Sequence, residues 1–582
     1  MKIKMPCRLS LLALIMGLCT VALVLGATVP SAMAAGQPLN LWVSDRKSSE
    51  PGEPAHAEIA CWYSKQDRFF YLFLPSMMNA SRLYVHFDQE EPILIDGVSV
   101  RNGGVSDAFV PGRSLQVETR KGNFQVRVLQ SANLPALWVV TQSGSLNAIH
   151  AKKTHKEPSN LLMLNADGRA VYRGNLQYIK SRGEASFRYA KKPYQIKLEK
   201  SADLLGTGKA KKWILLAMYN DYSLLRNKLT FEMAEAAGLP YTVRSGHVDL
   251  YLNREYRGTY LLCEKIEIGT NRIPIQDLEK ATETVNESPL SDYSRFGSRQ
   301  YAANTAKGHQ IPIDPEDISG GYLIELDYPH RYKDDPSGFV TARGQAVNIK
   351  EPKYASKAQV ETIQAFMQSF ENALFAPTGV DSVTGKHYSE FVDMDSLVRK
   401  YLIEEISKNY DTNRSSHYYY KPEDARSPLA FAGPVWDYDS AYSNYNPQHS
   451  RLSLSALSSP LNLGVATDSA MRYFWWPAAY KRHDFRQAVA DTYHQVYMPL
   501  LCTLLGLEDG SDRSRLLPID AYAAQIDASA QMNRSRWPFG SRKPYPLDNG
   551  KTPEENVSYL KDFLQKRMDF LSELWTYQQE TR

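Results

Sequence analysis

Residues 409–421 read NYDTNRSSHYYYK, and residues 429–439 read LAFAGPVWDYD. Within them, the strand-like runs 417–421 and 429–433, joined by the turn-rich stretch 422–428, predict an antiparallel hairpin. In a hairpin the entry to the first strand lies beside the exit from the second. We therefore expect Asp411 to face Asp437 and Asp439 across the open end. Clustered carboxylates repel one another, so such a site binds a hard cation or shares a proton.

The composition indicates more than one well-packed globular domain. The chain has 582 residues, of which 43% are hydrophobic and 11% aromatic, with 36 tyrosines. Such values exclude a disordered chain, and the length exceeds that of one average domain. The net charge is only +4. A nearly neutral chain gives no support for nucleic-acid binding.

The first 34 residues have the three-part pattern of a secretory signal. Lys2, Lys4 and Arg8 precede an apolar run over residues 9–26, and Ala32-Met33-Ala34 supplies a cleavage site. We expect cleavage after Ala34 and export of the mature protein, which carries a net charge of about +1 once these three cations are lost. An uncleaved membrane anchor is the alternative. Cys61, Cys263 and Cys502 would remain, enough for one disulfide at most.

The rest of the chain predicts an α+β protein with two domains. Residues 35–155 contain many short extended runs separated by turns, which is typical of a β-sandwich. Residues 156–582 form the second domain, with a β-rich lobe over about 156–280 and a helical lobe over about 355–582. The polar residues 281–318 are expected to form a long inserted loop. Glu325 and Asp327 share one face of a strand. They could aid metal binding, but we expect them to be solvated acids at a strand edge.

The order of these features matches the logic of protein-kinase catalysis. Asp411 would orient the acceptor hydroxyl, and Asp437, helped by Asp439, would bind the metal. Lys192 and Lys197 flank the strand that precedes the predicted helix over residues 224–237. Either lysine could neutralise the nucleotide phosphates.

A series of short motifs occurs in a fixed order between about Gly174 and Asn444. They are RG (182–183), KKPYQIK (191–197), WILLA (213–217), LRNKL (225–229), LN (252–253), YRG (256–258), EKI (264–266), GGY (320–322), NYD (409–411) and PVWDYD (434–439). In this order the motifs resemble the atypical secreted kinases of the spore-coat protein H type, the CotH kinases.

The resemblance implies a kinase-like two-lobed fold that uses ATP with Mg²⁺ or Mn²⁺. It implies transfer of phosphate to Ser or Thr of secreted or cell-surface proteins. The catalytic Asp falls on Asp411 and the metal Asp on Asp437. The remaining candidate residues are Arg182 and Arg226 for the phosphates, Glu264 in a hinge, and Asn413 as a further metal ligand.

Two alternatives remain open. The first is a non-catalytic surface- or matrix-binding protein on a degenerate kinase fold. Glu184 and Ser416 favour it, because family members often carry Asn followed by Ser or Thr after Arg182-Gly183 and an amide before the tyrosine-rich strand. The second is an extracellular glycoside hydrolase with two carboxylates, in which the N-terminal domain would bind carbohydrate.

Overall fold

The computed structural model describes residues 39–46, 57–409, 411, 415–444, 475–507, 516–539 and 552–580. For residues 577–580 it describes the backbone only. The predicted signal segment and Asn413 lie outside the described residues. The chain is an α+β protein. Among the described helices, none has both the length and the hydropathy that crossing a membrane requires. Cys61 and Cys263 are buried free thiols.

Two sheets share a hydrophobic core at the N-terminal end of the described chain. Alternate residues of strand Leu83–Phe87 point into this core, because successive side chains of a strand face opposite sides. The four-stranded sheet has the order Glu58–Ala60, Leu41–Ser44, Leu83–Phe87 and Gly104–Ser106. The six-stranded sheet has the order Trp62–Ser64, Phe69–Leu74, Gly122–Gln130, Ser114–Thr119, Ile93–Ile95 and Val98–Val100.

A closed seven-stranded barrel follows. Its strands, in order around the barrel, are Ala136–Thr141, Glu157–Leu164, Ala170–Ser181, Tyr194–Ala202, Ala210–Leu216, Glu255–Glu264 and Ser245–Leu252. The barrel closes by parallel pairing of Trp138 with Tyr251. The domain boundary predicted at residue 155 therefore falls between the first two barrel strands, which flank the short helix Asn147–Ala151. Helix Arg226–Ala236, predicted over 224–237, connects two further barrel strands.

A seven-stranded sheet, whose strands are not in sequence order, contains the predicted hairpin. Tyr419 pairs with Ala432 and Tyr420 with Phe431 in antiparallel register, so the hairpin is confirmed. The strand order is Arg295–Gly297, Ala306–His309, Ser337–Val340, Ala346–Glu351, Tyr322–Leu326, His417–Lys421 and Phe431–Ala432. The first two of these strands lie within residues 281–318, which were predicted to form a long inserted loop. That prediction is wrong.

The supposed loop contains regular elements with many exposed polar residues, although Lys307 and His309 are buried. Helix Leu278–Val285 begins at Asp277, whose side chain accepts a hydrogen bond from the Lys280 backbone N–H. Such a cap stabilises a short polar helix by satisfying a free backbone donor. Strands Arg295–Gly297 and Ala306–His309 then form the outer end of the sheet, where few side chains need to be apolar.

The C-terminal part is helical, as predicted. The last helix begins with a capping box between Thr552 and Glu555. Its apolar stripe is buried and consists of Val557, Leu560, Phe563, Leu564, Met568 and Leu571. The α-helices after residue 350 are Lys357–Phe375, Met394–Ser407, Trp475–Tyr480, His483–Thr492, Met498–Leu505, Ile519–Arg536 and Pro553–Glu580, with a π-turn at Tyr493–Tyr497. Short 3₁₀ turns occur at Ser186–Arg188, Leu290–Asp292, Pro329–Arg331 and Tyr388–Glu390.

A buried ion pair joins the last helix to helix Met394–Ser407. Arg567 Nη2 lies 3.0 Å from Glu405 Oε2, and both side chains are buried. Removing one partner of such a pair leaves the other charge uncompensated.

We expect Arg567→Met to lower the free energy of unfolding by about 3–5 kcal/mol, measured by urea denaturation. The neighbouring exposed pair Lys566–Asp562 supplies the control, because Lys566→Met should cost less than about 1 kcal/mol. Equal losses in both variants would contradict this account.

Candidate functional site

The predicted carboxylates converge on one cavity. It has a volume of about 500 Å³ and lies where the end of the barrel meets the seven-stranded sheet. Asp411, Asp437 and Asp439 all line it, as does Arg182 at the end of a barrel strand. The two ends of the tyrosine-rich hairpin thus open into the same space, as the sequence predicted.

Glu404 holds both ends of the hairpin in place. On the entry side, Asn409 Nδ2 donates a hydrogen bond of 3.0 Å to Glu404 Oε2. On the exit side, the Tyr438 hydroxyl donates one of 2.7 Å to Glu404 Oε1. Lys400 pairs with the same carboxylate and balances its buried charge. The Tyr438 backbone N–H also donates to Asn227 Oδ1 at 2.8 Å. Hydrogen bonds therefore hold the segments that carry the three aspartates against helices Met394–Ser407 and Arg226–Ala236.

Asp437 and Asp439 are neighbouring acids, both partly buried, whose side chains interact with each other. Burial raises the pKa of Asp437, while the nearby Arg182 guanidinium acts against this rise. The pKa of Asp439 is raised further, first by burial and then by repulsion from Asp437, Asp221 and Asp411. Asp437 also has a left-handed backbone with φ of +69°, which asparagine and aspartate tolerate better than most residues. Acids held together in this way share a proton or bind a cation.

Asp411 lies at the entry side of the same cavity. The Tyr328 hydroxyl donates a hydrogen bond of 2.8 Å to Asp411 Oδ1. The Asp411 backbone N–H in turn donates to Asn409 Oδ1 at 3.2 Å. The carboxylate is thus presented to the cavity with a phenolic hydroxyl already in hydrogen-bonding contact.

Arg182 is one of the cofactor-binding candidates and the one that reaches the cavity. Its guanidinium lies 5.4 Å from the centre of the Trp436 ring, in a cation–π contact. Trp436 immediately precedes Asp437, so this contact places a positive charge beside the acidic pair.

The other four cofactor-binding candidates are not among the described residues that line the cavity. Lys192 donates to the carbonyl oxygens of Phe187 and Tyr189, and so supports the loop after Arg182 from behind. Lys197 lies on a barrel strand and pairs in register with Lys212. Within the described part of the chain, these contacts do not direct either ammonium group toward Asp437 and Asp439.

Arg226 and Glu264 each form a buried ion pair, although the charge of Arg226 also opposes the rise in the pKa of Asp439. Arg226 Nη1 lies 2.6 Å from Asp221 Oδ1, with both side chains fully buried at the start of the helix. Glu264 Oε1 lies 2.7 Å from Arg272 Nη1 and lines a separate polar cavity. Burial raises the pKa of Glu264, and Arg272 opposes that rise.

A second acidic group, Glu325 and Asp327, also lines the cavity. Glu325 and Asp327 were expected to be solvated, but each is only 7% exposed, so that expectation is wrong. Their strand lies in the interior of the sheet, between Ala346–Glu351 and His417–Lys421. Carboxylate oxygens of Glu325, Asp327 and Asp335 lie within 4.8 Å of one another. Lys350 Nζ lies 3.0 Å from both Glu325 and Asp335.

Sequence reasoning therefore missed Tyr328, Arg331 and Lys350, which line the cavity beside the predicted aspartates. Arg331 lies 3.5 Å from Asp327, and its charge also opposes the rise in the pKa of Asp437. The strand face that carries Glu325 and Asp327 was the one available signal, because two acids with a period of two point to the same side.

The two departures from the family pattern also lie at the cavity. Glu184 forms an ion pair with Lys153 and lies 3.8 Å from Arg188. Its negative charge is thus partly compensated, and these contacts lower its pKa. Ser416 lines the cavity from a left-handed backbone conformation with φ of +56°.

The titration of Asp327 supplies a test of this arrangement. Burial raises its pKa to about 7, and repulsion from Glu325 adds to the rise. The folded protein then retains a proton that the unfolded chain releases above about pH 4, so stability falls as the pH rises from about 4 to about 7. We expect Asp327→Asn to flatten this fall when Tm is measured against pH with EDTA present. Parallel pH profiles for the two proteins would show that Asp327 is not buried in this way.

Comparison with known proteins agrees with the geometry of the site. The family model described as CotH kinase protein matches residues 179–571, which is more than half of the chain. No curated protein gives a significant match. The match includes Arg182, the tyrosine-rich hairpin and all three cavity aspartates. The chain belongs to the CotH kinase family.

Proposed function

We propose that this protein is an exported kinase that transfers the γ-phosphate of ATP to Ser or Thr of secreted or cell-surface proteins. One observation carries the proposal: Asp411, Asp437 and Asp439 line a single cavity together with Arg182. Phosphoryl transfer requires little covalent chemistry from a protein and depends on positioning and on charge neutralisation. A cavity lined by a carboxylate that can bind the acceptor, an acidic pair and an arginine supports both.

The acidic pair fits a divalent cation. Asp437 and Asp439 are partly buried neighbours, and burial together with repulsion from Asp437 raises the pKa of Asp439. Carboxylate oxygens are the preferred ligands of Mg²⁺ and Mn²⁺. These two residues would hold the ion, with Asn413, outside the described residues, as a further candidate. When bound, the ion supplies positive charge that neutralises the phosphates of the nucleotide.

The other side chains have complementary roles. Asp411 accepts the proton of the acceptor hydroxyl and orients its oxygen toward the phosphate. Arg182, held over Trp436, provides a planar donor for phosphate oxygens. Arg331 and Lys350 add further positive charge to the lining of the same cavity. Lys192 and Lys197 lie outside this lining, so Arg182 replaces them as the leading phosphate-binding residue.

The rest of the proposal concerns layout and location. The barrel would form the upper lobe of a two-lobed kinase, and the seven-stranded sheet with the C-terminal helices would form the lower lobe. The N-terminal pair of sheets would be a β-sandwich accessory domain. The signal-like residues 1–34 support export, and secreted or surface-bound proteins are the substrates that such a location makes available.

The test uses purified mature protein, ATP labelled at the γ-phosphate, and either Mg²⁺ or Mn²⁺. We expect label to enter the chain itself or added secreted proteins, and we expect EDTA to abolish it. Labelling that persists in EDTA, or no labelling with either metal, would contradict the proposal.

The positions of Lys192, Lys197 and Glu264 favour one alternative, a non-catalytic binding protein on a kinase fold. These three residues were predicted to contact the nucleotide, and none is among the described residues of the cavity lining. Calorimetry with ATP and Mn²⁺ distinguishes the two functions. The kinase proposal requires metal-dependent binding of ATP, whereas the alternative requires none.

A further inference from the structure

The side chain of Tyr328 occupies the position that an acceptor must take. Its hydroxyl donates a hydrogen bond of 2.8 Å to Asp411 Oδ1. A residue that accepts the proton of a reacting hydroxyl must lie about 2.6–3.2 Å from that oxygen. The contact between Tyr328 and Asp411 meets this requirement without any movement of the chain.

The backbone around Tyr328 fixes this position. Tyr328 follows the buried strand Tyr322–Leu326, and its backbone N–H donates to Asp327 Oδ1 at 2.8 Å. A 3₁₀ turn, Pro329–Arg331, begins directly after it. The ring is partly buried and lines the same cavity as the acidic pair. The hydroxyl is therefore held at the site by the sheet and is not a surface group that reaches in by chance.

We propose that Tyr328 is an intramolecular phosphate acceptor of this protein. The inference rests on the proposed function, because it requires ATP in the cavity and Asp411 as proton acceptor. The Tyr328 Oη attacks the γ-phosphorus and forms a new P–O bond. The bond from the γ-phosphorus to the bridging oxygen breaks, and ADP leaves with the electron pair. The phenolic proton passes to the Asp411 carboxylate.

Arg331 lies close enough to Tyr328 to bind a phosphate group on that residue. The Arg331 guanidinium lies 5.4 Å from the centre of the Tyr328 ring. It also lies 3.5 Å from Asp327 Oδ1, in a loose ion pair that a stronger anion can replace. A phosphotyrosine carries close to two negative charges at neutral pH and binds arginine through charge-assisted hydrogen bonds. Arg331 can therefore bind the phosphate group that Tyr328 acquires.

Site-localised mass spectrometry tests the proposal on the purified wild-type protein. The protein is incubated with ATP and Mn²⁺, digested, and searched for the phosphopeptide that contains residue 328. We expect phosphotyrosine at Tyr328, and we expect its loss in Asp411→Asn. Because the reaction is intramolecular, the fraction modified per unit time should not change when the protein is diluted tenfold.

Variants separate this proposal from its neighbours. Tyr328→Phe should remove the phosphotyrosine. Tyr301→Phe, which alters an exposed tyrosine in the loop between strands Arg295–Gly297 and Ala306–His309, should leave it unchanged. Phosphate on serine or threonine of the wild-type chain with none on Tyr328 would overturn this inference and leave the proposed function standing. No transfer of phosphate from ATP to any residue or added protein would overturn both.

Discussion

Replacing Asp411 by asparagine should lower the rate of phosphate transfer by about 100- to 10,000-fold. Asparagine has the same shape as aspartate and can still accept the hydrogen bond from Tyr328. It cannot take the proton of an acceptor hydroxyl, and proton transfer by a positioned side chain commonly contributes an effect of this size. The rate is measured with labelled ATP and Mn²⁺ under single-turnover conditions, which separate chemistry from product release.

The binding of ATP provides the control for this variant. Asp411 is assigned to the acceptor and not to the metal, so calorimetry should give nearly equal affinities for the variant and the wild type. Asp562→Asn, at an exposed site on the last helix, should change neither quantity. Equal transfer rates for Asp411→Asn and the wild type would show that Asp411 has no part in the reaction.

Replacing Asp437 by asparagine should weaken metal-dependent ATP binding by about 100-fold, since a bound metal ion stabilises phosphate charge by several kcal/mol. The variant should still fold, because asparagine tolerates the left-handed backbone that Asp437 adopts. It should also be at least as stable as the wild type when metal is absent. The reason is that repulsion from Asp437 raises the pKa of Asp439, and the substitution removes that repulsion.

Two measurements on one sample check this prediction. Calorimetry with ATP and Mn²⁺ measures the affinity, and thermal unfolding in EDTA measures the stability. Weaker binding combined with retained stability supports a metal site at the acidic pair. Unchanged affinity would place the metal elsewhere, and a large loss of stability would mean that Asp437 has a structural role instead.

The hairpin and its aspartates were predictable because the information is local. Residues 417–421 and 431–432 are apolar runs with a turn between them, and antiparallel pairing of adjacent strands fixes which ends meet. Helix Arg226–Ala236 and the last helix were predictable for a similar reason, namely apolar periodicity and a capping box.

The position of Glu325 and Asp327 in the cavity lining was not predictable, because it depends on the order of the strands in the sheet. Glu325 pairs across the sheet with Asn348 on one side and Tyr418 on the other. These neighbours are distant in sequence, and no local pattern states which strand lies between which. Glu325 and Asp327 therefore looked like edge residues, although the sheet buries them.

The lysine predictions relied on spacing alone, which does not tell where a long side chain is directed. Lys192 turns back to the carbonyl oxygens of its own loop. Arg226 is paired with Asp221, five residues before it, in a contact that closes the start of the helix. Lys350 reaches the cavity from a strand that no motif had marked.

The central claim is that Asp437 and Asp439 form a metal and nucleotide site facing Asp411. Crystals soaked with Mn²⁺ and a non-hydrolysable ATP analogue test it through the anomalous signal of manganese. The account predicts a manganese peak between the carboxylates of Asp437 and Asp439, with the phosphates beside Arg182. Manganese bound only at Glu325, Asp327 and Asp335, or a nucleotide found outside this cavity, would contradict it.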